Sequence, residues 1–126
     1  MTSPVVLIVD DDARNRKLVR DVLRRAGFET IEAASAVDAL ALARAHVPDL
    51  VLMDLRLPDL DGAEALGRLQ ADPATDRIPV VALTAVAGAR EALLEAGFAG
   101  YVEKPIDVQA LPAEVRRLCA ARWPTA

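Results

Sequence analysis

The residues VVLIVDDDARNRKLVRDVLRRAG, positions 5–27, change period in mid-stretch. Val5 to Val9 is an unbroken aliphatic run rich in β-branched residues, the pattern of a strand buried on both faces. Leu18, Val19, Val22, Leu23 and Ala26 then recur at helical spacing, and Gly27 is a helix stop. The stretch therefore predicts one strand followed by one helix. Between the two stand three adjacent carboxylates, Asp10, Asp11 and Asp12. Like charges this close repel unless a cation or neighbouring donors offset them. Asp12 is expected to cap the helix, where the N-terminus favours a carboxylate, whereas Asp10 and Asp11 end the strand and are expected to hold a cation.

The same alternation continues to the end of the chain. FETIEA (28–33) has period two, and Ser35 can cap a helix reaching about His46, with Val37, Leu40 and Ala41 among its apolar positions. DLVLMD (49–54) reads as a buried strand after Pro48. A third helix starts at Asp61 or Gly62 and carries Leu66 and Leu69, and the two prolines of ADPATDRIP punctuate before the strand VVALT (80–84). A short helix from Arg90 to Ala96 stops at Gly97, GYVEK (100–104) supplies a fifth strand, and Leu111, Val115, Leu118 and Cys119 stripe a last helix. With Asp107 as a cap, Pro112 falls just past the turn, where its missing N–H is harmless and the helix restarts. Five strands alternating with five helices predict an α/β fold, a parallel sheet covered on both faces with right-handed crossovers. Strands 1, 3 and 4 are apolar throughout and belong at the centre; strands 2 and 5 suit the edges.

The 126 residues have the size of one domain, so positions 1–126 are read as a single unit with only WPTA left over and no output domain. A hydrophobic share of 53% with 27% charged residues excludes disorder. The single cysteine, Cys119, has no internal disulfide partner and is expected to pack inertly. No run approaches the ~18 apolar residues of a membrane span, and no basic segment precedes the first apolar stretch, so no membrane association and a cytoplasmic location are expected. A net charge of −4 argues against nucleic-acid binding. Arg14, Arg16, Lys17, Arg20, Arg24 and Arg25 nevertheless crowd one segment. They form either a solvated helix face or a docking surface for an acidic protein.

In an open parallel sheet the site lies beyond the carboxyl ends of the strands. There the sequence places Asp10 and Asp11, Asp54, Thr84, and Lys104 followed by Pro105. Magnesium takes hard oxygen ligands, and Asp10, Asp11 and Asp54 can supply them. A carboxylate beside such an ion can act as a nucleophile toward phosphorus, and Asp54, alone at its strand end, is the candidate acceptor. Thr84 can donate its hydroxyl to a phosphoryl oxygen and Lys104 can pair with another. Against 13 arginines the chain has only two lysines, which marks Lys104 further.

The segments VLIVDDDARNRKLV, PDLVLMDLRLPDLDG, IPVVALTA and GYVEKPID together resemble the receiver domain of two-component response regulators, over nearly the whole chain. The resemblance implies a flavodoxin-like, doubly wound sheet of order 2-1-3-4-5 and phosphorylation of Asp54 by a phosphohistidine on a histidine kinase or histidine phosphotransfer protein. Asp10, Asp11, Asp54 and the backbone carbonyl of Arg56 would hold Mg²⁺, with Mn²⁺ able to substitute. Thr84 and Lys104 would contact the phosphoryl group. Thr84 would swing toward it while Tyr101 turns inward, altering the face of helix 4, strand 5 and helix 5 toward an unidentified protein target; an ordinary half-buried edge aromatic is the plainer reading of Tyr101. Lys104–Pro105 would be a cis bond, and the small Ala85 fits the pattern. Helix 1 would face the phosphodonor, with Arg16, Lys17 and Arg20 as candidate contacts.

Two departures stand out. The interval from Thr84 to Lys104 is shorter than is usual in such receivers, the shortfall falling in AVAGAREA, which bears on how a switch is transmitted. Arg56 and Val86 occupy positions that in the family orient the hydrolytic water, and neither side chain offers an acceptor, so slow self-dephosphorylation is expected. Other readings are a metal-dependent phosphohydrolase, which lacks an acid or base at position 56, a receiver-fold binding module that works without phosphorylation, and a receiver excised from a longer regulator.

Overall fold

Strands with no polar face must be covered from both sides, and the order of burial follows from that. In the structure, a computed structural model describing residues 3–86 and 88–122, the elements are β1 (Val5–Val9), α1 (Ala13–Arg25), β2 (Glu29–Ala33), α2 (Ala36–His46) and β3 (Leu50–Asp54). They continue as α3 (Gly62–Ala71), β4 (Val80–Thr84), α4 (Arg90–Ala96), β5 (Gly100–Glu103) and α5 (Leu111–Arg122). All neighbouring strands are parallel, in the order β2-β1-β3-β4-β5. The three apolar strands are central, as expected. WPTA and Ala87, inside the shortened interval, lie outside the described residues. Among the described residues no helix is long and apolar enough to cross a membrane.

Alternation along the strands sorts the core into two layers. Leu7, Val9, Val51, Met53 and Ala82 pack with residues of α2, α3 and α4. Val6, Ile8, Leu50, Leu52, Val81 and Leu83 pack with Val19 and Leu23 of α1 and with Leu111, Val115, Leu118 and Cys119 of α5. Cys119 is thus a packed core residue.

Polar side chains at the helix starts accept otherwise unpaired N–H groups. Asp12 accepts from Arg14 N at 2.8 Å, Ser35 from Asp38 N at 3.2 Å and Asp61 from Glu64 N at 2.8 Å. Asp107 accepts from Gln109 N and Ala110 N in the turn before α5, which leaves Pro112 in the first turn of the helix. Gly62 opens α3 against the end of β3, where an added Cβ would lie 2.7 Å from Leu55 Cδ2 and 3.0 Å from Leu55 Cα.

The apolar stripe of α2 differs from expectation. Ala36, Ala39 and Ala43 are buried, Leu40 is half-buried, and Val37 and Ala41 are exposed. Three alanines on one face let the helix lie close to the sheet, and the branched residues are left on its flank and outer side. In α1, likewise, Val19 and Leu23 carry the packing while Leu18 is exposed. At the end of α2, Val47 adopts φ 44° and ψ 67°, a left-handed conformation that a β-branched residue takes at a cost. At the open edge of the sheet, β2 carries Glu29, Thr30 and Glu32, and only Ala33 is fully buried.

Candidate functional site

The carboxyl ends of β1, β3 and β4 and the residue after β5 converge on an open cleft of about 400 Å³. Asp10 follows β1 directly and is held at every polar atom. Its N–H donates to Ala33 O at 3.1 Å, its Oδ1 accepts from Asp12 N at 2.9 Å and its carbonyl accepts from Arg16 Nη1 at 2.6 Å. Asp54 ends β3; its Oδ1 accepts from Arg56 N at 2.9 Å. Lys104 Nζ reaches both acids, at 2.7 Å from Asp54 Oδ2 and 3.4 Å from Asp10 Oδ2. The backbone of Lys104 is tied to β4 through its N–H to Thr84 O at 2.8 Å, and the peptide bond to Pro105 is cis, as expected.

Asp10 and Asp54 are buried and Asp11 is exposed, yet one carboxylate oxygen from each lies within 4.8 Å of the others. Three hard oxygen donors in that space, opening to solvent through Asp11, suit a divalent cation that keeps some of its waters. Burial pushes the Asp10 carboxyl above its ordinary value, opposed by the Asp12 N–H and the Lys104 ammonium. Burial also acts to lower the Lys104 ammonium, but its hydrogen bond to Asp54 and the two carboxylate charges outweigh this and hold it above the usual lysine value. The ammonium occupies the position of a counter-charge shared by two acids.

Thr84 is buried at the end of β4, and its Oγ1 accepts from Val86 N at 3.0 Å. Arg56, Ala85 and Val86 line the rim together with Asn15, a residue that sequence reasoning passed over. Tyr101 is not in this cleft. It sits on β5 opposite Ala82, half-buried against the α4 side of the core, and lines a separate surface cavity with Leu94 and Arg117.

Of the docking candidates on α1, Lys17 is open to solvent with its side chain 70% exposed. Arg16 and Arg20 are turned onto Glu32 of β2, at 3.6 and 3.2 Å. Asp59, one of the acids near Asp54 in sequence, also lies elsewhere in function: its two oxygens accept from Ala36 N and Val37 N, both at 2.9 Å, and so clip the β3–α3 loop to the start of α2. Those two backbone donors pull its carboxyl below the ordinary aspartate value.

Residues 6–116 match the family of response regulator receiver domains. The polar-differentiation response regulator DivK of Brucella ovis is 45% identical over 105 residues, covering 82% of this chain and 85% of that one. Among solved structures, the chemotaxis response regulator CheY4 of Vibrio cholerae superposes with a TM-score of 0.87 at 27% identity, over 93% of this chain and 99% of that one. The receiver domain of a sensor histidine kinase from Pseudomonas aeruginosa PAO1, solved with a magnesium ion coordinated in its active-site cleft, superposes with a TM-score of 0.85 at 32% identity, over 94% and 99% of the two chains. In sequence and in fold, this chain belongs to the receiver domain family of two-component response regulators.

Proposed function

We propose that the protein is a phosphorylation-driven signalling switch that takes a phosphoryl group onto Asp54 from a phosphohistidine of a histidine kinase or phosphotransfer protein. The observation that carries this reading is the grouping of the Asp54 carboxylate with Asp10, Asp11 and the Lys104 ammonium at one end of the sheet. Asp54 Oδ attacks phosphorus, a new phosphorus–oxygen bond forms, and the phosphorus–nitrogen bond breaks with its electron pair returning to the imidazole. Asp10, Asp11, Asp54 and the Arg56 carbonyl are the proposed ligands of Mg²⁺, for which Mn²⁺ can stand in. When bound, the ion offsets the carboxylate charge and the charge gathered on the phosphoryl oxygens.

Lys104 then transfers its hydrogen bond from Asp54 Oδ2 to a phosphoryl oxygen, and the Thr84 hydroxyl donates to another. Both groups line the cleft beside Ala85, and Pro105 follows Lys104 through a cis peptide bond. Drawing Thr84 toward the phosphoryl group vacates space that Tyr101 takes up, and the face of α4, β5 and α5 changes its fit to a downstream protein. Lys17 is the docking candidate on α1 best exposed to a donor, with Arg20 beside it.

Incubation with a small-molecule phosphodonor and Mg²⁺, read by intact mass, tests the assignment. Wild type is expected to gain one phosphoryl group and Asp54→Asn none. An unmodified wild type, or an equal gain by the variant, removes the basis of the reading.

A further inference from the structure

Arg16 adjoins exposed Lys17 in sequence but points elsewhere; its own side chain is 20% exposed, against 70% for Lys17. Its guanidinium is placed between two partners. Nη1 donates to the carbonyl of Asp10 at 2.6 Å, and Nε faces Glu32 Oε1 at 3.6 Å. Glu32 is fixed in turn, because its register on β2 sets it opposite Ile8 and its second oxygen accepts from Arg20 Nη1 at 3.2 Å. A planar fork with a carboxylate behind it is a rigid clamp, unlike the point charge of a lysine.

The carbonyl so held belongs to the peptide that joins Asp10 to Asp11. Peptide planarity makes that oxygen a handle on the whole unit, including the direction in which the chain enters Asp11. The carboxylate of Asp10 has its own restraints in the Asp12 N–H and Lys104. That of Asp11 is exposed, so its approach to the other two acids depends on the backbone beneath it.

We infer that Arg16, aimed by Glu32, is a positioning residue for the cation site: by fixing the Asp10–Asp11 peptide it sets the geometry in which the two carboxylates meet Asp54. The inference rests on the proposed cation site and adds to it a clamp from α1 and β2. Residues that orient metal ligands typically govern affinity by ~10–100-fold. Holding a carbonyl rather than a ligand oxygen places Arg16 at the low end of that range.

Calorimetric titration of the full chain with MgCl₂, beside thermal unfolding in its absence, separates this role from the alternatives. Arg16→Lys keeps the charge and loses the fork. The double variant Arg16→Met with Glu32→Gln removes one positive and one negative charge, leaving the local net charge unchanged. Each is expected to raise the Kd for Mg²⁺ about tenfold. A melting temperature that falls in both while the Kd stays at the wild-type value makes Arg16 merely structural and overturns the inference. An unchanged Kd in Arg16→Lys, with a tighter one in Arg16→Met alone, makes the effect one of charge and overturns it equally. A wild type that binds no Mg²⁺ overturns the cation site itself, and the inference falls with it.

Discussion

Asp10 shows how a proposed cation ligand bears on the stability of the fold. A carboxyl whose value is raised in the folded chain favours the protonated form there. Its stabilising contribution is complete below the unfolded value of about 3.9 and is lost as pH rises through the folded value, so at neutral pH the charge is a burden on the fold. Asp10→Asn keeps an acceptor for the Asp12 N–H and sheds the charge, and is expected to melt higher than wild type without cation. Mg²⁺ at about one hundred times its Kd should stabilise wild type by roughly 2.7 kcal/mol and the variant by almost nothing. Thermal unfolding with and without the ion checks both halves. Arg56 matters by what it lacks: a guanidinium has no acceptor with which to turn a water toward the proposed aspartyl-phosphate. Arg56→Asn is expected to shorten the lifetime of phosphorylated protein, followed by intact mass after the donor is removed. The acids and the lysine at the strand ends were legible in the sequence, since topology alone assigns strand ends to one side of the sheet. The inward turn of Arg16 was not, because nothing in a basic helical run tells which cation finds a partner on another strand.

At the level of elements, α2 depends on a residue from outside itself. Asp59 supplies two acceptor oxygens to its first turn, 22 and 23 positions away in the chain. A depressed carboxyl contributes stability above its unfolded value of about 3.9 and loses it as pH falls through the folded value. The difference in melting temperature between wild type and Asp59→Ala is therefore expected to be full near neutrality and to close in strong acid. A gap that persists at low pH would assign the effect to packing instead. The other end of α2 has a defect that a substitution can mend. Val47 pays for a left-handed conformation, and Val47→Asn, exposed and followed by Pro48, is expected to stabilise by about 1 kcal/mol in a denaturant melt. Helix boundaries were readable from Ser35, Asp61, Gly27 and Gly97, whose side chains or lack of them act locally. The buried face of α2 was not, because hydropathy favours Val37 over Ala36, whereas close approach to a sheet selects for the smaller side chain.

Across the whole molecule, stability is concentrated in the two layers flanking the sheet, and apolar residues outside them contribute little. Leu52, fully buried in the central strand between α1 and α5, is expected to cost about 2–5 kcal/mol as Leu52→Ala, while Leu18→Ala, on the exposed side of α1, should stay within about 1 kcal/mol. Chemical denaturation of the two variants makes the comparison at constant side-chain chemistry. Which strands lie at the centre followed from which runs were wholly apolar, and the order 2-1-3-4-5 from the family resemblance, so the architecture was legible in the sequence more plainly than the partners of any single charge. The polar margin of β2 has a separate consequence. An unpaired strand edge is a template on which a second sheet can grow, and β2, whose side away from β1 is such an edge, carries the polar residues Glu29, Thr30 and Glu32. Polar and charged side chains on that margin disfavour edge-to-edge pairing of crowded copies through β2, and Glu32 serves there as well as in the clamp on Arg16.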